Sequence, residues 1–237
     1  MENKDLIKCD NKTSKMVNII SKKTKSGTVE IALENSKYYY LPFDKSPLDL
    51  SDPKVRDQFI KGIERRVRRS KLYKAYIDYL KNDLKLNKCA VLGNIESEVK
   101  SKTKIEMHHG PIFTLYDICN IVLEKNLQLK NTDKINTFDL AAEVLDLHRR
   151  KLVQTVMLSE SVHKSMDNPA IAPFLSLDQT FGDLYGFVKE YHQYFTPKNV
   201  SSLKNYLIHY KDNMNKNQLN IFKPIITKYN IQYKNKQ

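Results

Sequence analysis

The chain has 237 residues, with 40 Lys and Arg against 27 Asp and Glu, a formal net charge of +13 and 41% hydrophobic residues. That apolar fraction supports a real core and argues against wholesale disorder, while no apolar run approaches the ~20 residues of a membrane span. The positive balance favours polyanionic partners, nucleic acid first and anionic membrane surfaces second, although charge alone is weak evidence. Cys9, Cys89 and Cys119 are scattered, without C-x-x-C spacing, and no signal sequence opens the chain. A reducing compartment, a soluble intracellular protein and no structural zinc knuckle are the expectations.

In chain order, residues 1–26 are rich in Lys, Asn and Ser and read as a flexible basic lead-in. Thr28–Leu33 alternates and Tyr38–Phe43 is dense in aromatics, so a hairpin or two short strands are expected before Pro42, Pro47 and Pro53 punctuate a loop. Ser51-Asp52-Pro53 is a helix start, with a side-chain cap and proline in the first turn. Val55, Phe59, Ile63 and Val67 keep helical spacing, and Tyr76, Ile77 and Leu80 continue it past a break near Ser70. The outer face carries Lys61, Arg65, Arg66, Arg68, Arg69 and Lys71, with Asp57 and Glu64 the nearby acids.

Cys89–Ile95 and Thr103–His108 read as two strands. Thr114-Leu115-Tyr116-Asp117 resembles a capping box opening a helix to about Leu127, and a second helix is expected over Phe138–Arg150. A short strand at Thr155–Leu158 then runs into a helix from about Ser161, and Pro169 and Pro173 bound an irregular turn. Phe181–Phe195 and Ser201–Asn213 read as amphipathic helices. The expected units are 1–26, a hairpin and basic helical region at 27–88, a main domain at 89–195, and a C-terminal helix and tail at 196–237.

The chemistry-bearing residues fall in two places. Ile105-Glu106-Met107-His108-His109 ends in a histidine pair, and Gly110-Pro111 offers a bend that would let both imidazoles face one site. Further along, Gln154–Leu158 precedes His163 and Asp167, four positions apart and expected on one helix face. Neutral imidazole ligates a metal or accepts a proton from water, and His with carboxylate suits a borderline or hard divalent ion. Taken singly, each group has a bland reading: a buried histidine beside a solvated one, or an exposed helix pair. His148, beside Arg149 and Arg150 at a helix C-terminus, suits a structural role on dipole grounds, with metal or phosphate contact as the sharper reading. Tyr38-Tyr39-Tyr40 suits buried β-structure or base stacking.

Together the two motifs resemble the HNH, or ββα-metal, endonucleases, and more nearly their bacteriophage-encoded members. The first motif is His108-His109-Gly110-Pro111-Ile112-Phe113-Thr114-Leu115-Tyr116-Asp117-Ile118. The second family pattern, Asn-Leu-Val-Pro-Leu-Cys-x-x-Cys-His-x3-His, aligns without gaps on Gln154 to Asp167. The resemblance covers roughly Asn87 to Tyr191. Gln154 replaces the bracing Asn, Ser159 and Val162 replace the knuckle cysteines, Asp167 replaces the final His, and the motifs lie farther apart than usual.

The resemblance implies an α+β fold, mainly helical, around a ββα-metal core, with an N-terminal hairpin and basic helix as extension. It implies a divalent-metal-dependent DNA endonuclease in a phage setting, acting in the bacterial host cytoplasm or with the virion. In that reading His109 is the general base, Gln154 the brace, and His108, His163 and Asp167 hold a Mg, Mn or Zn ion; the assignment between the two adjacent histidines could be reversed, because sequence does not show which way either ring points. Arg65, Arg66, Arg68, Arg69, His148, Arg149 and Arg150 would contact DNA, with phage proteins as further partners and no membrane. The reading from another class is a catalytically silent nucleic-acid-binding or virion-associated protein on the same scaffold.

Overall fold

A computed structural model describes residues 49–93, 103–130, 135–168 and 170–210, isolated positions 220, 222 and 227, and the backbone of three N-terminal strands. The chain divides into two units, Met1–Val55 and Arg56–Gln237. In the first, β1 (Lys4–Leu6), β2 (Asn18–Lys23) and β3 (Val29–Leu33) form an antiparallel sheet in that order. Two of these strands lie in the stretch read as a basic lead-in. Tyr38–Phe43, read as the hairpin's second strand, lies outside the described residues.

The larger unit is mainly helical with a two-stranded antiparallel sheet. Helix α1 (Pro53–Arg69) starts where the cap signal sits, Asp52 Oδ1 accepting from the Lys54 and Val55 N–H groups at 2.7 and 3.3 Å. Its Phe59, Ile60, Ile63 and Val67 are buried, one stripe of a 3.6-residue repeat. Ser70 breaks the helix and caps α2 (Lys71–Asp78), accepting from the Leu72 N–H, and a π-helical turn follows at Tyr79–Asp83.

Residues 89–93 do not form the strand their apolar character suggested. The chain turns there, with Gly93 at φ 62°, and touches the sheet where the Ala90 N–H donates to the Met157 carbonyl at 2.8 Å. The sheet consists of β4 (Ile105–His109) and β5 (Thr155–Ser159), paired from Ile105 with Ser159 to His109 with Thr155. Between them run α3 (Leu115–Gln128), opened by the Thr114–Asp117 capping box, and α4 (Thr137–Arg149), capped by Asn136. Ile118, Ile121 and Val122 of α3 and Leu140, Val144 and Leu147 of α4 fill the core, each set at helical spacing.

Helix α5 (Glu160–Ser165) follows β5 directly, then α6 (Leu184–Tyr191) and α7 (Pro197–Tyr210). Helix α6 is shorter than Phe181–Phe195 because Asp183 caps it and Phe181 is spent on bridging Thr155. Helix α7 begins four residues before Ser201, at Pro197. No helix among the described residues is long and apolar enough to cross a membrane.

Candidate functional site

Strand β4 alternates. Ile105, Met107 and His109 are buried, while Glu106 and His108 are half-buried on the opposite face. The pleat persists through His109 because the Gly110 N–H still reaches the Gln154 carbonyl, at 3.5 Å, so Gly110-Pro111 turns the chain too late to swing both imidazoles to one side. The two adjacent histidines therefore serve different surroundings.

His109 is 5% exposed and stacks on Tyr73, the ring centroids 6.0 Å apart and nearly parallel. Its Nε2 lies 3.0 Å from Nε2 of His148, itself 1% exposed. His148 Nδ1 lies 2.8 Å from the Val144 carbonyl, which can only accept. His148 thus carries its proton on Nδ1 and presents a bare Nε2, and His109 must donate from Nε2. Tyr73 and Tyr76 close the pair with edge contacts to His148 at 5.6 and 5.2 Å. Burial pushes His109 well down and His148 to about 4, so both rings are neutral near pH 7.

On the outer face, His108 and His163 meet edge to face with centroids 5.1 Å apart, the His108 ring lying against Gly110. His163 donates from Nδ1 to Glu106 Oε2 at 2.6 Å. Burial and the neighbouring His163 push His108 down to about 4, against the pull of Asp167. Asp167 is not one helical turn beyond His163, since α5 ends at Ser165 and Asp167 lies in the turn that follows. Gln154 is 7% exposed and donates from Nε2 to Thr180 Oγ1 at 3.0 Å, bracing β5 against the turn before Phe181.

His108 and His163 come together, with Glu106 bonded to His163 and Asp167 near enough to act on His108, while His109 departs from the expected convergence and faces the interior. Glu106 was missed, although strand alternation put it on the face of His108. Among the described residues no group of three or more His, Cys, Asp and Glu side chains is placed to hold a metal ion. With His163 Nδ1 committed to Glu106, Nε2 is the nitrogen of that ring left to a ligand.

The basic residues also separate. Lys61 pairs with Asp57 at 2.8 Å, Arg68 with Glu64 at 2.7 Å, Arg149 with Asp146 at 2.6 Å and Arg150 with Glu190 at 2.5 Å. His148 is withdrawn from any phosphate by burial, because its position on α4 faces the core. Arg65, Arg66 and Arg69 instead line an open groove of about 560 Å³ between α1 and α4, with Gly62, Ser70, Thr137, Phe138 and Leu145 and, among the described residues, no carboxylate. Arg66 Nε donates to Thr137 Oγ1 at 2.7 Å, holding the guanidinium 3.5 Å from the Phe138 ring centroid. Phe138 was missed; its signal was a large aromatic on the polar side of the Phe138–Arg150 helical pattern.

The family model of bacteriophage G278-like virion proteins matches residues 1–237. No curated protein and no solved structure is significantly similar to the chain.

Proposed function

Since the chain belongs to the bacteriophage G278-like virion protein family, we propose that it is a virion-associated, nucleic-acid-binding protein that keeps a strand–strand–helix scaffold without phosphodiester chemistry. Phage origin follows from the family; the nucleic-acid partner and the catalytic silence are our reading. The observation that carries it is the groove between α1 and α4, where Arg65, Arg66 and Arg69 stand together with no acidic side chain among the described residues that line it. Three cations in a groove without a carboxylate are available to phosphates, and neutralising phosphates releases counterions. The burial of His109 supports the silent half, because a general base must reach the water it deprotonates.

The test is double. Purified protein should bind DNA at low ionic strength, weaken steeply as salt rises, and leave supercoiled plasmid intact in magnesium, manganese or zinc. Absence of salt-sensitive binding would remove the nucleic-acid reading.

A divalent-metal DNA nuclease is the second reading, favoured by one observation, the order of β4, β5 and α5 with His108 and His163 adjacent on the outer face. In it the reversed assignment, His108 as base, replaces His109. Among the described residues its donors do not make up a three-ligand group, and we derive no step through a metal. Nicking of plasmid that disappears in His108→Ala would favour it over the first reading.

A further inference from the structure

We propose that the α1–α4 groove is a stacking site for an unpaired nucleotide base on Phe138, so that the protein prefers single-stranded nucleic acid, or an unpaired end, to duplex. The inference rests on the nucleic-acid reading above and specifies its site.

Three features converge. Phe138 is 48% exposed, which leaves about half of the side chain open to a ligand. One side of its ring is occupied by the Arg66 guanidinium, 3.5 Å from the centroid and fixed by Thr137. A guanidinium on one face leaves the other to a flat π-system, and base–aromatic stacking with an arginine contribution is sequence-tolerant because every base has a π-face. Arg65 and Arg69 line the same groove, one helical turn apart, where they are available to the phosphates next to a stacked base.

The local fold builds this site. Asn136 caps α4 by accepting from the Phe138 and Asp139 N–H groups at 3.0 and 2.9 Å, which fixes Phe138 in the first turn. Gly62 allows α1 to come close, since a Cβ there would stand 3.3 Å from Thr137 Cγ2. The groove is open to solvent rather than enclosed, and its volume of about 560 Å³ lies within the ordinary range for ligand sites. A duplex offers phosphates but hides its base faces, so only the arginines would engage it. An acidic peptide would satisfy the arginines and leave the ring without a stacking partner.

The experiment is fluorescence anisotropy at fixed ionic strength with a labelled oligothymidylate and a labelled duplex of equal length. Wild-type protein should bind the single strand more tightly. Phe138→Ala should weaken single-strand binding about tenfold or more and duplex binding far less, and Phe138→Tyr should restore single-strand binding. Arg65→Gln with Arg69→Gln should weaken both. Circular dichroism melting of each variant checks the fold, and Phe138 being half in solvent, its removal should leave the melt unchanged.

Equal effects of Phe138→Ala on the two oligonucleotides, no effect on either, or a wild-type preference for duplex would overturn the stacking site while the arginine-based reading stands. Displacement of the single strand by polyglutamate as efficiently as by unlabelled oligothymidylate would assign the groove to an acidic protein instead. If neither oligonucleotide binds at low salt, the nucleic-acid reading itself falls.

Discussion

His109 and His148 are each costly to bury and are made tolerable by one another. The donor at His109 Nε2 is used by the bare Nε2 of His148, whose own donor is used by Val144, so the contact between the rings leaves neither nitrogen wasted. Protonating His148 puts a second hydrogen between the two rings and a charge against Tyr73 and Tyr76. With His148 held at about 4 in the folded chain against 6.5 unfolded, the unfolded state binds more protons in that interval. Stability from this source is complete above pH 6.5 and is lost as pH falls toward 4, by on the order of 3 kcal/mol. Urea titrations at pH 7.5, 6 and 5 should show that decline. His148→Gln, which does not titrate, should start less stable and decline less steeply; parallel declines would place the acid sensitivity elsewhere. His109→Ala should cost about 2–4 kcal/mol at pH 7, because it opens a cavity against Tyr73 and strips His148 Nε2 of its donor.

Among the elements, β5 is held on both edges, by β4 along its length and by Phe181 at Thr155. Gly182 makes the second contact possible. Its φ is +118°, and a Cβ there would stand 2.2 Å from the Val153 carbonyl oxygen, a backbone atom that cannot move aside alone. Gly182→Ala should therefore destabilise by about 2 kcal/mol or more and loosen the Gln154–Thr180 bond, read as a drop in melting temperature with the same unfolded baseline. A wild-type melt would mean that the Phe181 bridge is dispensable. Elements such as α1 and α3 were legible because local chemistry sets them: Asp52-Pro53 caps one and Thr114 with Asp117 caps the other. The turn after Cys89 was not, since an apolar run there serves the core without a neighbour to pair along its length. The end of α5 was equally hidden. Nothing between His163 and Asp167 breaks a helix, and the stop comes from the Asn168 N–H turning back to the Ser165 carbonyl. That small difference decides whether Asp167 shares a face with His163.

Across the whole molecule the question is where a net charge of +13 is spent. Composition announces the surplus but not its address, because pairing is a property of folded neighbours. Arg149 with Asp146 and Arg150 with Glu190 differ in kind from the groove arginines, which face no carboxylate among the described residues lining the groove. A paired arginine that turns to a phosphate leaves a carboxylate beside the same polyanion, so it gains less and releases fewer counterions. The plot of log binding constant against log salt should therefore lose about one unit of slope per groove arginine replaced, in Arg65→Gln and again in Arg69→Gln. Arg149→Gln and Arg150→Gln, which remove the same formal charge, should leave the slope nearly unchanged. Equal losses from the two sets would mean that bulk positive potential, rather than the α1–α4 groove, holds the nucleic acid, and would return all the arginines to the role of a solvated basic surface.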